Sequence, residues 1–196
     1  EGARELFACV GAGSGPTDDA GTLDARVALD ATPATYEQAT DCRRAPCELV
    51  ASTGILFGRL AGRTPLPFDP AAPLRPPPTL TVTPLTDLHG GQVVQVHGEG
   101  FLPLNRVDLF ECKARAVSAL SCGIFRDGPR ADATAAEDGS FDVEFQIRPR
   151  FRWLPGPARD CHVSRCGIGA YDGDGPLDVA DEPLSAITPI TFAPRA

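Results

Sequence analysis

The sequence Asp41-Cys42-Arg43-Arg44-Ala45-Pro46-Cys47 recurs later in the chain as Asp160-Cys161-His162-Val163-Ser164-Arg165-Cys166. Further matching segments surround the two copies in the same order. They include Leu6-Phe7-Ala8-Cys9 with Leu109-Phe110-Glu111-Cys112, and Thr64-Pro65-Leu66 with Thr188-Pro189-Ile190. Self-similarity of this kind indicates a repeated structural unit. We therefore predict two tandem copies of one domain.

A proline-rich segment separates the two copies. Residues 69–78 contain five prolines, which predicts an extended and fairly stiff linker. We accordingly assign residues 1–68 to the first domain and residues 79–196 to the second. Aligning the copies leaves the first domain without its N-terminal strands. Two explanations stay open: the chain is part of a longer protein with further domains, or another chain donates the strands.

Alternating apolar and polar residues predict short strands throughout the chain. The clearest examples are Phe141, Val143, Phe145 and Ile147 in the second copy, and Leu23, Ala25, Val27 and Leu29 in the first. No segment combines a helical period with capping residues. Short strands separated by Gly and Pro turns are typical of an all-β, immunoglobulin-like antiparallel β-sandwich. We expect about seven strands in the second domain, by analogy with such sandwiches.

The seven cysteines indicate disulfides and an oxidising compartment. Their positions predict three short-range pairs, namely Cys42 with Cys47, Cys112 with Cys122, and Cys161 with Cys166. Cys9 is left over, and its partner is expected upstream or on a neighbouring chain. The spacings within the pairs differ from those of structural zinc sites, so we predict no metal there.

The composition excludes several classes of partner. A net charge of −8 argues against non-specific nucleic-acid binding, which requires phosphate neutralisation. The sequence has no apolar run long enough for direct membrane insertion. Together with the cysteines, these features favour a secreted, extracellular or cell-envelope location.

No pattern of residues indicates catalysis or a cofactor. The serines lie outside any nucleophile motif, so we predict that the protein is not an enzyme. Asp172 and Asp174 are calcium candidates in an acidic loop, although turn chemistry alone explains Asp-Gly pairs. The group Arg148, Arg150, Arg152 and Trp153 is a candidate interface, because arginines interleaved with aromatics recognise partners. A solvated hairpin is the alternative for that group.

Several motifs in order resemble the neocarzinostatin family of apoproteins. They are Val82-Thr83-Pro84, the segment from Leu88 to Phe101, a C-x9-C pair, the D-C-x4-C pair, and the closing Pro189-Ile190-Thr191-Phe192. The resemblance covers nearly all of the second copy. It implies an immunoglobulin-like sandwich with two disulfides per full domain and secretion by an actinomycete. It also implies a cleft, between the barrel and a small hairpin, that holds a reactive enediyne chromophore.

The same resemblance places the cleft floor around Cys112 and Cys122. The residues that it suggests for the cleft are Ala114, Leu120, Phe125, Phe151 and Trp153. Ala114 stands where the family has an aromatic residue, and charged Lys113 and Arg115 flank it.

Two functions follow as hypotheses. The first is a non-catalytic secreted or cell-envelope protein of tandem immunoglobulin-like modules. It would act as a scaffold or an accessory subunit that binds a protein partner. The alternative is a carrier that binds a hydrophobic small molecule, such as an enediyne-like chromophore, in a cleft next to Cys112 and Cys122.

Overall fold

The computed structural model describes residues 16–25, 27–33, 40–53, 59–117, 121–123, 128–152, 158–172 and 184–195. These residues form eleven β-strands. The strands are β1 Cys47–Thr53, β2 Arg59–Leu66, β3 Thr79–Thr83, β4 Val93–Glu99, β5 Arg106–Lys113, β6 Arg130–Thr134, β7 Phe141–Gln146, β8 Arg150–Arg152, β9 Ala158–Asp160, β10 Cys166–Asp172 and β11 Ala186–Ile190. Within these ranges no helix has the length and apolarity needed to cross a bilayer. The all-β prediction is confirmed.

Seven of the strands form two antiparallel sheets that enclose the main core. One sheet has the order β11-β10-β5-β6 and the other has the order β3-β4-β7. Strand β3 alternates exposed and buried residues, so that Leu80 and Val82 face inward. Val96 and Phe145 face inward from β4 and β7 and complete that side of the core. This arrangement of four and three strands is that of a β-sandwich.

Strands β5 and β10 are buried on both faces, unlike the other strands of the sandwich. Along β5, Val107 and Leu109 contact the main core. Phe110 and Cys112, which point the opposite way, belong to a second apolar cluster. The outer face of the four-stranded sheet is therefore covered, and it carries the candidate site.

A short hairpin of β8 and β9 stands apart from the two sheets. Its Phe151 is buried in the main core. The Cys161 amide donates to the Pro149 carbonyl at 2.7 Å, which ties the end of the hairpin to its beginning. The hairpin is thereby held at the edge of the sandwich.

The described residues before the linker form one two-stranded sheet, β1 with β2. Its register matches that of β10 with β11. Cys47 lies opposite Leu66 just as Cys166 lies opposite Ile190. The two D-C-x4-C segments are therefore followed by hairpins of the same pairing.

The two D-C-x4-C loops also have the same hydrogen bonds. The Asp41 carboxylate accepts from the Arg43 amide at 3.1 Å, and the Asp160 carboxylate accepts from the His162 amide at 3.1 Å. The carbonyl of each aspartate accepts from the amide four residues ahead at 2.9 Å. The structure contains the three disulfides Cys42–Cys47, Cys112–Cys122 and Cys161–Cys166.

The strand predicted at residues 23–29 is wrong for the described positions. That segment has no strand, and the Leu23 side chain is 46 % exposed. A strand needs a hydrogen-bonded neighbour, and none of the described strands pairs with this segment. The turn before it does match its counterpart, because Gly21 and Gly139 have φ values of 79° and 80°.

The first residues of the linker form a turn where its prolines predict an extended segment. In this turn the Ala72 amide donates to the Asp69 carbonyl at 3.1 Å. The Arg43 guanidinium donates to the Ala72 carbonyl at 2.9 Å. Further along, Arg75 forms an ion pair with Asp30 at 2.6 Å and also donates to the Gly100 carbonyl. The guanidinium groups of Arg43 and Arg75 thus connect the linker to segments that precede it and follow it in the sequence.

Candidate functional site

The second apolar cluster lies on the outer face of the four-stranded sheet. Its buried members are Phe110, Cys112, Ala116, Cys122 and Tyr171, and the half-buried Leu184 and Ile187 pack against them. The strand register explains the grouping, since Phe110 of β5 and Ile187 of β11 both lie opposite Gly169 of β10. We call this set the outer-face cluster.

Gly169 allows close packing at the centre of the outer-face cluster. A Cβ atom at this position would lie 2.9 Å from the Cys112 Sγ atom and 2.9 Å from a Leu184 methyl carbon. A side chain would therefore displace one or both of them. The absence of a side chain lets the Cys112–Cys122 disulfide and Leu184 lie directly on the sheet.

A buried carboxylate marks the polar end of the same face. Asp108 precedes Phe110 by two residues, so it points to the same side of β5. Its Oδ1 atom accepts from Arg106 at 3.1 Å and from Arg130 at 3.2 Å. Its Oδ2 atom is buried and has no hydrogen-bond partner within the described residues. The face therefore combines an apolar floor with a charged, incompletely satisfied end.

The structure places the residues predicted for the cleft in different surroundings. Ala114 follows β5, is half-buried, and donates its amide to the Arg165 carbonyl at 3.1 Å. Phe151 lies in the main core instead of the outer-face cluster. Leu120, Phe125 and Trp153 lie outside the described residues, as does Cys9.

Sequence reasoning did not single out Phe110 or Tyr171 for the site. A signal was present in the unbroken run Val107-Asp108-Leu109-Phe110-Glu111-Cys112, where bulky apolar residues occur on both sides of one strand. Such a run is typical of a strand buried on both faces. The contribution of Tyr171 depends on the β5–β10 register, which a single sequence does not reveal.

The arginines of the candidate interface are exposed but partly engaged. The Arg150 Nε atom contacts the Asp160 carboxylate at 3.1 Å, and Arg195 donates to the same carboxylate. The Arg148 amide donates to a carboxylate oxygen of Glu111 at 3.0 Å. Arg152 is exposed at the end of β8. The β8–β9 hairpin therefore has a positively charged surface, and the Asp160 carboxylate neutralises part of that charge.

Glu111 is a fully buried carboxyl group on the core side of β5. Burial raises its pKa to about 8, although the Arg148 amide and charge act in the opposite direction. One of its oxygens lies 3.3 Å from the Cys161 Sγ atom. Glu111, Cys161 and Cys166 are near enough to share a metal ion, but both sulfurs are joined in a disulfide and offer no thiolate.

The calcium candidate Asp172 already has partners inside the protein. Its carboxylate accepts from the Leu102 amide at 2.7 Å and from Asn105 at 3.2 Å, and it lies 3.7 Å from Arg75. Burial raises the pKa of this carboxyl. Asp174 lies outside the described residues. A calcium ion at Asp172 would therefore compete with a guanidinium.

Comparison with known proteins identifies a family and similar solved structures. The solved structure of macromomycin is 25 % identical over 59 % of this chain and 99 % of its own length, with a TM-score of 0.44. The solution structure of apokedarcidin is 22 % identical over 59 % of this chain and 98 % of its own length, with a TM-score of 0.36. The family model named "Neocarzinostatin family" matches residues 80–186, more than half of the sequence. The buried members of the outer-face cluster and the two disulfides of the sandwich lie within that range, and the chain belongs to the neocarzinostatin family.

Proposed function

We propose that this protein is a non-enzymatic carrier that binds an apolar small molecule on the outer face of its four-stranded sheet. The observation that supports the proposal best is the outer-face cluster, a second buried group of apolar side chains on the side of the sheet opposite the main core. Membership of the neocarzinostatin family favours the carrier over the scaffold. The sequence alone led to the scaffold as the first hypothesis, and we now propose the carrier as the main function.

The chemistry of the face suggests the kind of ligand. Phe110 and Tyr171 supply aromatic surface beside the Cys112–Cys122 disulfide. Binding sites for small molecules are mostly apolar, with a few polar groups that fix orientation. Asp108 provides such a group, because its Oδ2 atom has no hydrogen-bond partner in the described part of the chain. The ligand is accordingly a flat apolar molecule that carries a hydrogen-bond donor at one end.

Leu184 occupies the place where such a ligand would contact the sheet. Its methyl groups lie over Gly169, so the ligand enters only if Leu184 moves aside. Leu184→Ala should therefore strengthen binding of the neutral dye N-phenyl-1-naphthylamine several-fold. Gly169→Ala should weaken binding, because the added methyl group forces the floor to rearrange.

Fluorescence titration of the dye tests this proposal. Val163→Ala is the matched control, since Val163 is 82 % exposed and is not a member of the outer-face cluster. It should bind the dye as the unaltered protein does. Absence of saturable binding, or equal affinities for all four proteins, would show that the outer face is not the site.

We propose further that the protein works in an extracellular, oxidising environment. The three disulfides support this, because such bonds persist where thiols are not kept reduced. Intact mass of the protein from its native source would test it. A mass that corresponds to reduced cysteines would contradict an extracellular location.

A second candidate function is presentation of tandem modules to a protein partner. The matching registers and loops of the two D-C-x4-C regions support domains at residues 1–68 and 79–196, joined by residues 69–78. The exposed arginines of β8 supply a contact surface. Arg150→Ala together with Arg152→Ala should then abolish capture of the partner in a native pull-down. A monodisperse monomer that captures nothing would exclude this function.

A further inference from the structure

Glu111 is buried, and within the described ranges no cationic side chain forms an ion pair with its carboxyl group. It lies on β5 opposite Ile168 of β10, with its side chain on the side of the main core. Its Oε2 atom accepts the Arg148 amide at 3.0 Å, and its Oε1 atom faces the Cys161 sulfur. An ionised carboxylate in such a place is costly, because its charge is removed from water and only one donor replaces the lost hydration.

The burial of Glu111 favours the protonated form of its carboxyl group, and the contact with sulfur is compatible with that form. The Cys161 Sγ atom belongs to a disulfide and therefore has no hydrogen to donate. Sulfur is a weak acceptor, so a hydrogen bond at the 3.3 Å contact requires a hydrogen on Glu111. A protonated carboxyl satisfies both neighbours, since Oε1–H donates to sulfur while Oε2 accepts from the amide.

Glu111 joins three segments that the β-sheets do not hold together. Its carboxyl group contacts the amide of Arg148, just before β8, and the sulfur of Cys161, just after β9. Its carbonyl accepts from the Gly123 amide at 2.8 Å, next to Cys122. Phe151 of β8 would lie 3.2 Å from a Cβ atom on Gly123. One residue thus connects the hairpin to the disulfide of the outer-face cluster.

We infer that protonated Glu111 fastens the β8–β9 hairpin to the sandwich beside the ligand site, and that ionisation of Glu111 releases it. The ionised group turns toward water and leaves the Arg148 amide and the Cys161 sulfur. The hairpin then opens more often, and the segment beside Cys122 loses its packing against Phe151. The effect on the ligand rests on the carrier function proposed above, whereas the effect on the hairpin does not.

The charged groups around Glu111 do not cancel the effect of its ionisation on the β8–β9 hairpin. Arg148 is the described residue whose charge favours the ionised form, and its effect is smaller than that of burial. Lys113 follows on the same side of β5, and Asp160 precedes Cys161 and contacts Arg150. From β10, Glu111 faces the apolar Ile168 and the disulfide-bonded Cys166.

The expected pH window follows from the direction of the shift. The carboxyl pKa is about 8 in the closed protein against 4.5 for a free glutamate, so the open form loses its proton first. Closure is therefore strongest below pH 4.5 and weakens as the pH rises toward about 8. The equilibrium constant for opening should rise by up to about tenfold per pH unit in that range.

Hydrogen exchange of the Arg148 and Cys161 amides measures hairpin opening without any ligand. Glu111→Gln keeps the shape and both hydrogen-bonding directions but cannot ionise. The ratio of exchange rates, unaltered protein over Glu111→Gln, cancels the intrinsic effect of pH. This ratio should rise from about pH 5 to pH 8 for these two amides, more steeply than for the Val96 amide in the central strand of the other sheet.

Glu144→Gln is the control for loss of a glutamate, because Glu144 is exposed on β7. It should reproduce the pH profile of the unaltered protein. A ratio that stays constant with pH at the hairpin amides, or one that rises equally at Val96, would overturn the inference. The second outcome would mean that Glu111 acts on the stability of the whole domain.

Binding of N-phenyl-1-naphthylamine at pH 5 and pH 8 tests the link to the ligand. Affinity should fall with rising pH in the unaltered protein and stay constant in Glu111→Gln. A fall of equal size in both proteins would contradict control by Glu111. If neither protein binds the dye at any pH, the carrier function fails together with this link, while the exchange profiles still decide the role of Glu111 in the hairpin.

Discussion

The two D-C-x4-C regions share their local structure and differ in what surrounds them. Each has an aspartate that accepts the same three backbone amides, one disulfide, and a following hairpin in the same register. Cys161 and Cys166 belong to the main core, whereas β1 pairs only with β2 among the described strands. Residues within the motif therefore determine the loop, and neighbouring strands determine how much of it is buried.

The two regions should differ most in the loss of stability when one apolar residue is replaced by alanine. The equivalent residues lie two positions after the second cysteine of each motif. Ile168 is fully buried in the main core, whereas Leu49 is half-buried in its hairpin. Ile168→Ala should lower the free energy of unfolding by about 2–5 kcal/mol. Leu49→Ala should cost about 1 kcal/mol, because less apolar surface is lost. Urea unfolding followed by NMR separates the two regions, and equal costs would contradict the difference in burial.

Removal of each D-C-x4-C disulfide should give the next largest effect. Both bonds close loops of the same length, so the chain-entropy contribution is the same, about 2 kcal/mol. Replacing Cys161 and Cys166 by alanine also removes atoms from the main core, so it should cost more than replacing Cys42 and Cys47. Calorimetry of the two double variants provides the comparison. A greater loss from the Cys42–Cys47 pair would show that the first region stabilises the whole chain.

The sequence predicts the parts of the fold that depend on short-range pattern. The alternation of Phe141, Val143 and Phe145 corresponds to β7, and the cysteine spacings correspond to the disulfides in the structure. The same alternation at Leu23 led to a wrong strand, because pairing with a neighbour is not encoded in the segment itself.

The candidate site was less predictable than the fold. The disulfide Cys112–Cys122 was predicted as its floor, and the structure surrounds it with apolar side chains. Phe110 and Tyr171 meet only through the β5–β10 register, and Leu184 contacts the Gly169 position from the segment just before β11. Glu111 was missed because a glutamate inside a strand normally indicates a solvent-facing position. Its burial results from tertiary packing.

The smallest expected difference between the two regions is in the pKa values of the aspartates that begin the motifs, Asp41 and Asp160. Hydrogen bonds from Arg43 hold the pKa of Asp41 at about 2 against the opposing effect of partial burial. Burial acts to raise the pKa of Asp160, but the His162 amide and Arg150 keep it below its usual value. Each carboxylate therefore stabilises its loop above pH 3.8, and this contribution is lost as the pH falls through the lowered pKa.

NMR titration of the side-chain carboxyl carbons measures both pKa values. Arg43→Gln should raise the pKa of Asp41 and leave that of Asp160 unchanged. Arg150→Gln should have the opposite selectivity. If either substitution moves both values equally, the two loops are coupled in a way that their separate hydrogen bonds do not explain.

The outer face of the four-stranded sheet should bind an apolar ligand. Intermolecular NOEs between N-phenyl-1-naphthylamine and the protein locate the bound dye. We expect NOEs from the dye to the rings of Phe110 and Tyr171 and to the methyl groups of Ile187, with saturation at one dye per chain. Saturable binding with NOEs confined to the β8–β9 hairpin or the β1–β2 hairpin would contradict it.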